Sequence, residues 1–151
     1  MEEIVGVIRE AAIRRKYWLP EVCDLYFTDK RVIVASVLSR KAALGYGILI
    51  GGLRLGLLGW YLAKRERERY RRIFEGKTPE EILSLEPDNF EIPYEDVSSI
   101  NLHKHFLRRA TIEFKTLRGN TYKFSFPSKQ FEDAERIVSR VLRKRETWVE
   151  K

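Results

Sequence analysis

Apolar and polar residues alternate strictly along two neighbouring segments near the carboxyl end, RATIEFKT and TYKFSF. An alternation with a period of two is typical of a β-strand that buries one face. The sequence LRGN between the two segments contains the glycine that a tight turn favours. The pattern therefore predicts a β-hairpin with a buried face made of Ala110, Ile112, Phe114, Tyr122, Phe124 and Phe126.

The amino-terminal residues 3–38 also have the composition of strands. EEIVGVIREAA is predicted as a first strand, although a helix stays open for this segment. EVCDLYFTDKRVIVASVL contains two runs rich in aromatic and β-branched residues around a polar turn at 28–31. Together with residues 91–126, these runs predict a structure made mainly of β-strands.

The segment SKQFEDAERIVSRVLRKR has the period of an amphipathic helix, which we predict over about 128–146. Ser128 is expected to cap this helix. Acidic residues near its start and basic residues near its end match the helix dipole. The apolar stripe that should pack on the sheet consists of Phe131, Ala134, Val138, Val141 and Leu142.

Residues 39–90 differ from the rest of the chain. They begin with AALGYGILIGGLRLGLLGWYLA at 42–63, a glycine-rich apolar stretch whose one charged residue is Arg54. KRERERYRRIFE follows and is a strong helix former. TPEEILSLEP then has a helix start, with Thr78 as N-cap and Glu81 three residues later. We expect a largely helical insertion.

Three segments resemble the PH-like superfamily, in particular GRAM domains and bacterial and archaeal PH-like domains. LYFTDKRVIVA is similar to a hairpin of this group, IPYEDVSSINL to a strand entry, and GNTYKFSFPSKQFEDAERIVSRVL to the last strand and helix. The resemblance covers 22–38 and 90–142. It implies an α+β, mainly β fold: an antiparallel β-barrel or sandwich capped by the carboxyl-terminal helix.

The resemblance also implies one domain over 1–151, interrupted by the insertion at 39–90. The superfamily has no shared catalytic residues, and its members are binding or scaffolding modules that are often membrane-associated. It therefore implies a non-enzymatic binding role without naming the ligand, because fold alone does not determine function.

The apolar stretch 42–63 has the length of a membrane-spanning helix. If the strands before and after it belong to one sheet, however, residues 38 and 91 must lie on the same side of any membrane. Residues 64–90 are too charged to cross back. A single full span is therefore incompatible with one PH-like domain.

Three arrangements remain open for this stretch. It can dip into a membrane as a hairpin divided at 51–52, or lie at the interface as a helix anchored by Trp60, Tyr61, Lys64 and Arg65. It can also be a buried or self-associating helix whose small-residue face is Gly45, Gly52, Gly56, Gly59 and Ala63. Arg54 would cost about 2.5–3.5 kcal/mol at a bilayer centre but can reach headgroups from the interface.

A basic aromatic segment, IRRKYWLP, should form the loop after the first strand. In an up-and-down meander this loop lies at the same end as the insertion. Arg14, Arg15, Lys16 and Trp18 would then stand beside the apolar stretch, an arrangement suited to an anionic membrane. The alternative is a solvated loop whose Trp18 covers one end of the sheet.

Composition agrees with an anionic partner. The chain of 151 residues has 29 Lys and Arg against 22 Asp and Glu, a net charge of +7. Cys23 is the one cysteine, which excludes an internal disulfide and suits a reducing compartment. The first residues do not have the pattern of a secretory signal peptide. We expect a cytoplasmic protein, peripheral to the membrane.

Catalytic motifs are not found. GYGILIG is one residue too long for a dinucleotide fingerprint, and the chain has no paired-cysteine, HExxH or GxSxG motif. His103 and His105 share a strand face, but no third metal ligand is evident, so we expect neither metal nor cofactor. The glutamates within KRERERYRR make nucleic acid an unlikely partner, because they favour an ion-paired helix.

These observations leave three hypotheses. The first is a non-enzymatic PH/GRAM-like module that associates peripherally with membranes through the apolar insertion and the basic loop. The alternative is a soluble homo-oligomeric scaffold, or protein-interaction domain, with the glycine face buried between subunits. A nucleic-acid-binding module is third.

Overall fold

The computed structural model describes residues 2–13, 21–38, 65, 68–69, 72–105 and 108–149. These residues include seven strands and two helices, and residues 65, 68–69 and 72–74 are also helical. The strands are β1 (Ile4–Ile13), β2 (Glu21–Thr28), β3 (Arg31–Leu38), β4 (Phe90–Pro93), β5 (Val97–Lys104), β6 (Arg109–Thr116) and β7 (Thr121–Pro127). The helices are α1 (Pro79–Leu85) and α2 (Phe131–Val149). The expected mainly β, α+β class with a carboxyl-terminal helix is confirmed.

The seven strands form one antiparallel sheet in the order β4-β3-β2-β1-β7-β6-β5. The two end strands, β4 and β5, are consecutive in the chain and are joined by a single 3-10 turn, Tyr94–Asp96. Because so short a turn cannot cross a flat sheet of seven strands, the sheet must curve until its two ends approach each other.

Ring contacts across the sheet agree with this curvature. Phe27 on β2 and Phe114 on β6 are three strand spacings apart in the order, about 14 Å in a flat sheet. Their ring centroids are nevertheless only 6.2 Å apart. Phe90 on β4 and Tyr122 on β7 are four strand spacings apart, and their centroids are separated by 5.6 Å. The sheet is therefore folded over on itself.

The main core lies inside this fold and receives side chains from every strand and from α2. The alternation in β6 and β7 places the predicted residues inward, with Ala110, Ile112, Phe114, Phe124 and Phe126 fully buried. β1 reaches the core across a bulge between Ile8 and Ala11, where Glu10 has a φ of 58°. The bulge bends β1, so that its first part pairs with β2 and its end pairs with both β2 and β7.

A second, smaller core covers the outer face of β3. Val32 and Val34 face the main core, whereas Ile33, Ala35 and Val37 pack against Phe74 and Ile82. The uninterrupted apolar run VIVASVL is typical of a strand that is buried on both faces. The end of the segment that connects β3 to β4 is thus packed on the sheet.

The start of α1 follows the sequence pattern. The Thr78 hydroxyl accepts a hydrogen bond from the Glu81 N–H, and the Glu81 carboxylate accepts one from the Thr78 N–H. This reciprocal capping box and Pro79 in the first turn fix where the helix begins.

Asn89 joins α1 to the edge of β3. Its Oδ1 accepts a hydrogen bond of 2.8 Å from the Ser36 N–H, and its Nδ2 donates one of 2.8 Å to the Ile82 carbonyl. The β3–β4 pairing ends at Val34 and Phe90, so the Asn89 side chain satisfies a backbone group of β3 that β4 does not reach.

The carboxyl-terminal helix begins later than the sequence predicts. Ser128 is not its cap, because Ser128–Gln130 form a 3-10 turn and α2 starts at Phe131. The Ser128 N–H donates to the Arg108 carbonyl, which fixes this turn to the β5–β6 connection. The predicted apolar stripe of α2 faces the main core together with Ile137.

Candidate functional site

The strand ends that border the predicted basic loop lie side by side in the sheet. Ile13, the last residue of β1, pairs with Glu21 of β2 and with Phe124 of β7. Val22 of β2 pairs with Leu38, the last residue of β3. The chain therefore leaves β1 and β3 at the same end of three consecutive strands, as a meander requires.

The contact residues predicted on those two connections lie outside the described residues. They are Arg14, Arg15, Lys16, Trp18, Arg54, Trp60, Tyr61 and Lys64, together with the predicted self-association face Gly45, Gly52, Gly56, Gly59 and Ala63. Arg65 is described, and it is helical and exposed. Contact of these residues with a membrane or a partner stays a prediction.

Outward-facing side chains of β5, β6 and β7 form a polar patch at one end of these strands. His103 pairs with Thr111, and Thr111 pairs with Ser125 on the other side. His105 and Arg109 close the same hairpin, where the His105 N–H donates to the Arg109 carbonyl over 3.1 Å. We name His103, His105, Arg109, Thr111 and Ser125 the histidine–arginine patch.

Direct contacts connect the members of the patch. The two imidazole rings have centroids 4.4 Å apart and an interplanar angle of 67°. His105 Nε2 lies 3.2 Å from Thr111 Oγ1, and Arg109 Nη2 donates a hydrogen bond of 2.6 Å to Ser125 Oγ. The imidazoles and the guanidinium are exposed, and the two hydroxyls are half-buried. The patch therefore presents hydrogen-bond donors to the solvent.

The surroundings of the patch are basic. Arg108 belongs to the same hairpin, whereas Lys104 points to the other face of the sheet, with its Nζ 5.8 Å from the centroid of the Phe131 ring. On β6 the next outward position is Glu113, whose carboxylate lies 3.7 Å from Lys115 Nζ and which pairs with Lys123. The histidine–arginine patch thus combines a guanidinium, two imidazoles and two hydroxyls without a carboxylate of its own.

The patch also adjoins the end of β1. Ser125 pairs with Ala12, and β1 ends one residue later at Ile13. Because β1 is antiparallel to β7 and Ile13 pairs with Phe124, β1 ends pointing toward the β6–β7 turn, away from the Arg109 end of the patch.

A separate charged cluster holds the opposite end of β3. The Arg31 guanidinium donates two hydrogen bonds of 3.0 Å to Glu2, one of 2.7 Å to Glu80 and one to Glu91. Burial alone would lower the pKa of Arg31, but the hydrogen bonds to Glu2, Glu91 and Glu80 outweigh it and raise the pKa above its usual value. Because its donors are engaged with carboxylates, we interpret this cluster as a clasp between the amino terminus, α1 and β4.

Tyr94 lies beneath this clasp. Its side chain is buried, and its hydroxyl donates a hydrogen bond of 2.7 Å to the Thr28 carbonyl. Burial, with a smaller contribution from the charges of Asp29 and Glu2, raises the pKa of Tyr94 above its usual value. The neutral hydroxyl therefore fixes the β4–β5 turn to the β2–β3 turn.

The described residues contain neither a candidate metal site nor a candidate membrane-spanning helix. No group of three or more His, Cys, Asp or Glu side chains there is placed to hold a metal ion. In the same part of the chain, no helix is both long enough and apolar enough to cross a membrane.

The sequence pattern predicted that His103 and His105 share one strand face. It did not indicate that Arg109, Thr111 and Ser125 would lie beside them. These residues join through the register of two hairpins, which aligns positions far apart in the chain. The signal that could have indicated these residues was the alternation of apolar and polar positions along the two strands. Arg109 and Thr111 occupy polar positions of RATIEFKT, and Ser125 occupies one of TYKFSF.

Comparison with known proteins gives a likeness of fold. Neither a family model nor a curated protein matches the chain. Among solved structures, the chain is similar to the C-terminal domain of an unknown protein from Leishmania infantum. The two share 13% sequence identity over 93% of this chain and 85% of that one, with a TM-score of 0.50. At this identity, the likeness extends to the fold and no further.

Proposed function

We propose that this chain is a non-enzymatic PH/GRAM-like binding module that associates peripherally with membranes. The observation that carries the proposal is the strand order together with the helix that follows β7. Strands β1–β4 and β5–β7 form two consecutive meanders that are joined edge to edge through β1 and β7. α2 then packs against the core that both meanders share.

The curvature of the sheet supports a PH-like barrel or sandwich rather than an open sheet. The contacts between Phe27 and Phe114 and between Phe90 and Tyr122 join strands from the two meanders. The turn Tyr94–Asp96 links the two edge strands, β4 and β5, directly. These contacts draw the edges together, as closure requires.

The pairing of β3 with β4 supports peripheral contact in preference to a span. Val34 pairs with Phe90 and Arg31 with Pro93, so the chain returns to the strand that it left. A helix that crossed a membrane once at 42–63 would leave β4 on the wrong side. A dipping hairpin or an interfacial helix keeps both strands in one sheet, and its apolar surface supplies the binding energy.

The test is sedimentation of the full chain with anionic vesicles at low salt. We expect the wild-type chain to sediment with them, and Trp60→Ala or deletion of 42–63 to abolish this. Trp148→Ala removes the same side chain from the end of α2 and is expected to leave binding unchanged. A wild-type chain that stays in the supernatant at low salt would reject membrane association.

Light scattering without detergent tests the scaffold alternative with the same variants. A defined oligomer that the 42–63 deletion converts to monomer would favour a glycine face buried between subunits. A monodisperse monomer that is soluble without detergent would exclude that alternative.

A further inference from the structure

We propose that the histidine–arginine patch binds phosphate headgroups of an anionic membrane surface. This inference rests on the proposed membrane association and assigns its polar contact to described residues of β5, β6 and β7. It places that contact on the outer face of the sheet, where Ser125 of the patch pairs with Ala12 of β1.

The chemistry of the patch matches a phosphate group. Arg109 offers a planar guanidinium, which binds phosphate oxygens through two parallel donors. Thr111 and Ser125 offer hydroxyls on the neighbouring positions of the same face. The imidazoles of His103 and His105 add two more donors, and each gains a positive charge when protonated.

Charge complementarity is local to this end of the hairpin. No member of the patch is a carboxylate, and Glu113, one outward position away, lies beside Lys115 and Lys123. On β1, Glu10 precedes Ala12, the partner of Ser125, by two residues. Against these two carboxylates stand Arg108 and Arg109 of the hairpin and the two lysines beside Glu113, Lys115 and Lys123. The balance favours an anion, and it becomes more favourable when the histidines are charged.

A membrane plane suits the patch better than a single dissolved phosphate. The donors lie on one side of three adjacent strands and are open to solvent, so one soluble anion would gain little from them. An array of headgroups engages several donors at once, and each basic group near an anionic surface contributes about 1 kcal/mol. The outward positions of the described strands β5–β7 carry no Phe, Tyr or Trp, side chains on which nucleic-acid bases commonly stack.

The two histidines allow the contribution of the patch to vesicle binding to be tested by changing the pH. They are the two histidines of the whole chain, and their rings are in contact. Since histidine changes its charge between about pH 5 and 8, a change in vesicle binding across that range reports on this patch.

The experiment compares full-length variants for binding to mixed phosphatidylcholine–phosphatidylglycerol vesicles. We expect Arg109→Gln to weaken binding about fivefold. The matched control is Arg140→Gln, an exposed arginine on α2, which packs against the core on the opposite face of the sheet. This control should lose less than about twofold in affinity.

A pH series gives an independent readout. Wild-type binding should strengthen several-fold between about pH 7.5 and pH 6, and the double variant His103→Gln/His105→Gln should show no such change. Because all these side chains lie at the surface, thermal unfolding of each variant should match the wild type and exclude misfolding as the cause.

The outcomes separate this inference from the proposed function. If the wild type binds vesicles but Arg109→Gln and Arg140→Gln lose affinity equally, or if the double variant keeps the pH dependence, the patch is not the contact site although membrane association stands. If Arg109→Gln instead weakens binding of a single-stranded oligonucleotide and leaves vesicle binding intact, the occupant is nucleic acid and the inference is wrong. If the wild type binds no vesicles, both proposals fall together.

Discussion

The backbone of Gly6 on β1 lies directly against the side chain of Ile137 on α2. A Cβ atom placed on Gly6 would lie 2.5 Å from both Cδ1 and Cγ1 of Ile137, closer than real Cβ contacts allow. The absence of a side chain at this position is therefore what lets the helix approach the sheet. The contact sets how α2 covers the main core.

Gly6→Ala is expected to destabilise the protein by about 1–3 kcal/mol, because Ile137 must move within a packed core. In an Ile137→Ala background the same change should cost much less, since the space is then free. Urea unfolding of the four chains measures this coupling. Gly76→Ala serves as the control, because Gly76 has a φ of 72° and a Cβ there would meet no described atom within 4 Å. Its cost should be equal in both backgrounds, and equal costs for Gly6→Ala would contradict the steric account.

Asn89→Ala should detach α1 and its neighbouring turn from β3. The change leaves the Ser36 N–H and the Ile82 carbonyl without their partner, and we expect a loss of about 2–4 kcal/mol from these two buried groups. Hydrogen exchange should show faster exchange of the Ser36 amide. Asn101→Ala, at an exposed position, should change stability by less than about 0.5 kcal/mol. An unchanged Ser36 exchange rate would refute the bridging role.

Tyr94 should make the fold sensitive to alkaline pH. In the unfolded chain a tyrosine ionises near pH 10, whereas the raised pKa of Tyr94 keeps it neutral in the fold. Its contribution is therefore fully present below about pH 10 and is lost as the pH rises further, by up to about 1.4 kcal/mol per pH unit. Tyr94→Phe should be less stable near neutrality by about 1 kcal/mol, because the Thr28 carbonyl loses its donor.

The measurement is urea unfolding of both chains at a series of pH values from neutral to alkaline. The stability difference between wild type and Tyr94→Phe should shrink above about pH 10. Tyr122→Phe, which keeps Tyr94, should retain the alkaline loss. A difference that stays constant with pH would show that Tyr94 ionises equally in both states.

The depth of Trp60 in a membrane distinguishes the two membrane arrangements of 42–63. In a chain that keeps Trp60 as its one tryptophan, we expect fluorescence quenching by lipids brominated along their acyl chains. A dipping hairpin predicts strongest quenching by deep bromines, and an interfacial helix predicts it by shallow ones. A chain that keeps only Trp148 is the reference. Trp60 fluorescence that is no more quenched than that of Trp148 would argue against membrane contact by this segment.

Local patterns were enough to predict the strands of the β6–β7 hairpin, the turn between β2 and β3, and the capped start of α1. Each depends on residues close in sequence, where alternation, turn residues or a Thr–Glu pair leave a direct signal. α2 begins at Phe131, three residues after the predicted start at about 128, because Ser128–Gln130 form a 3-10 turn that leads into it. The bond from the Ser128 N–H to the distant Arg108 carbonyl leaves no signal in the local sequence.

The candidate site depended on non-local information. His103, Thr111 and Ser125 are brought together by strand register, and a slip of one residue would point each of them to the other face. The second core was missed for a related reason. Nothing near Ile33 in the sequence indicates that Phe74 and Ile82 will cover it.

The position of β1 also has a consequence for the order in which this chain can fold during synthesis. β1 is made first, yet one of its neighbours in the sheet, β7, begins only at Thr121. On the ribosome, strands β1–β4 therefore keep an unpaired edge on β1 and exposed apolar side chains until β7 has been made. Closing the sheet by so distant a pairing is intrinsically slow, so the nascent protein is most exposed to aggregation or chaperone capture just before β7 and α2 emerge.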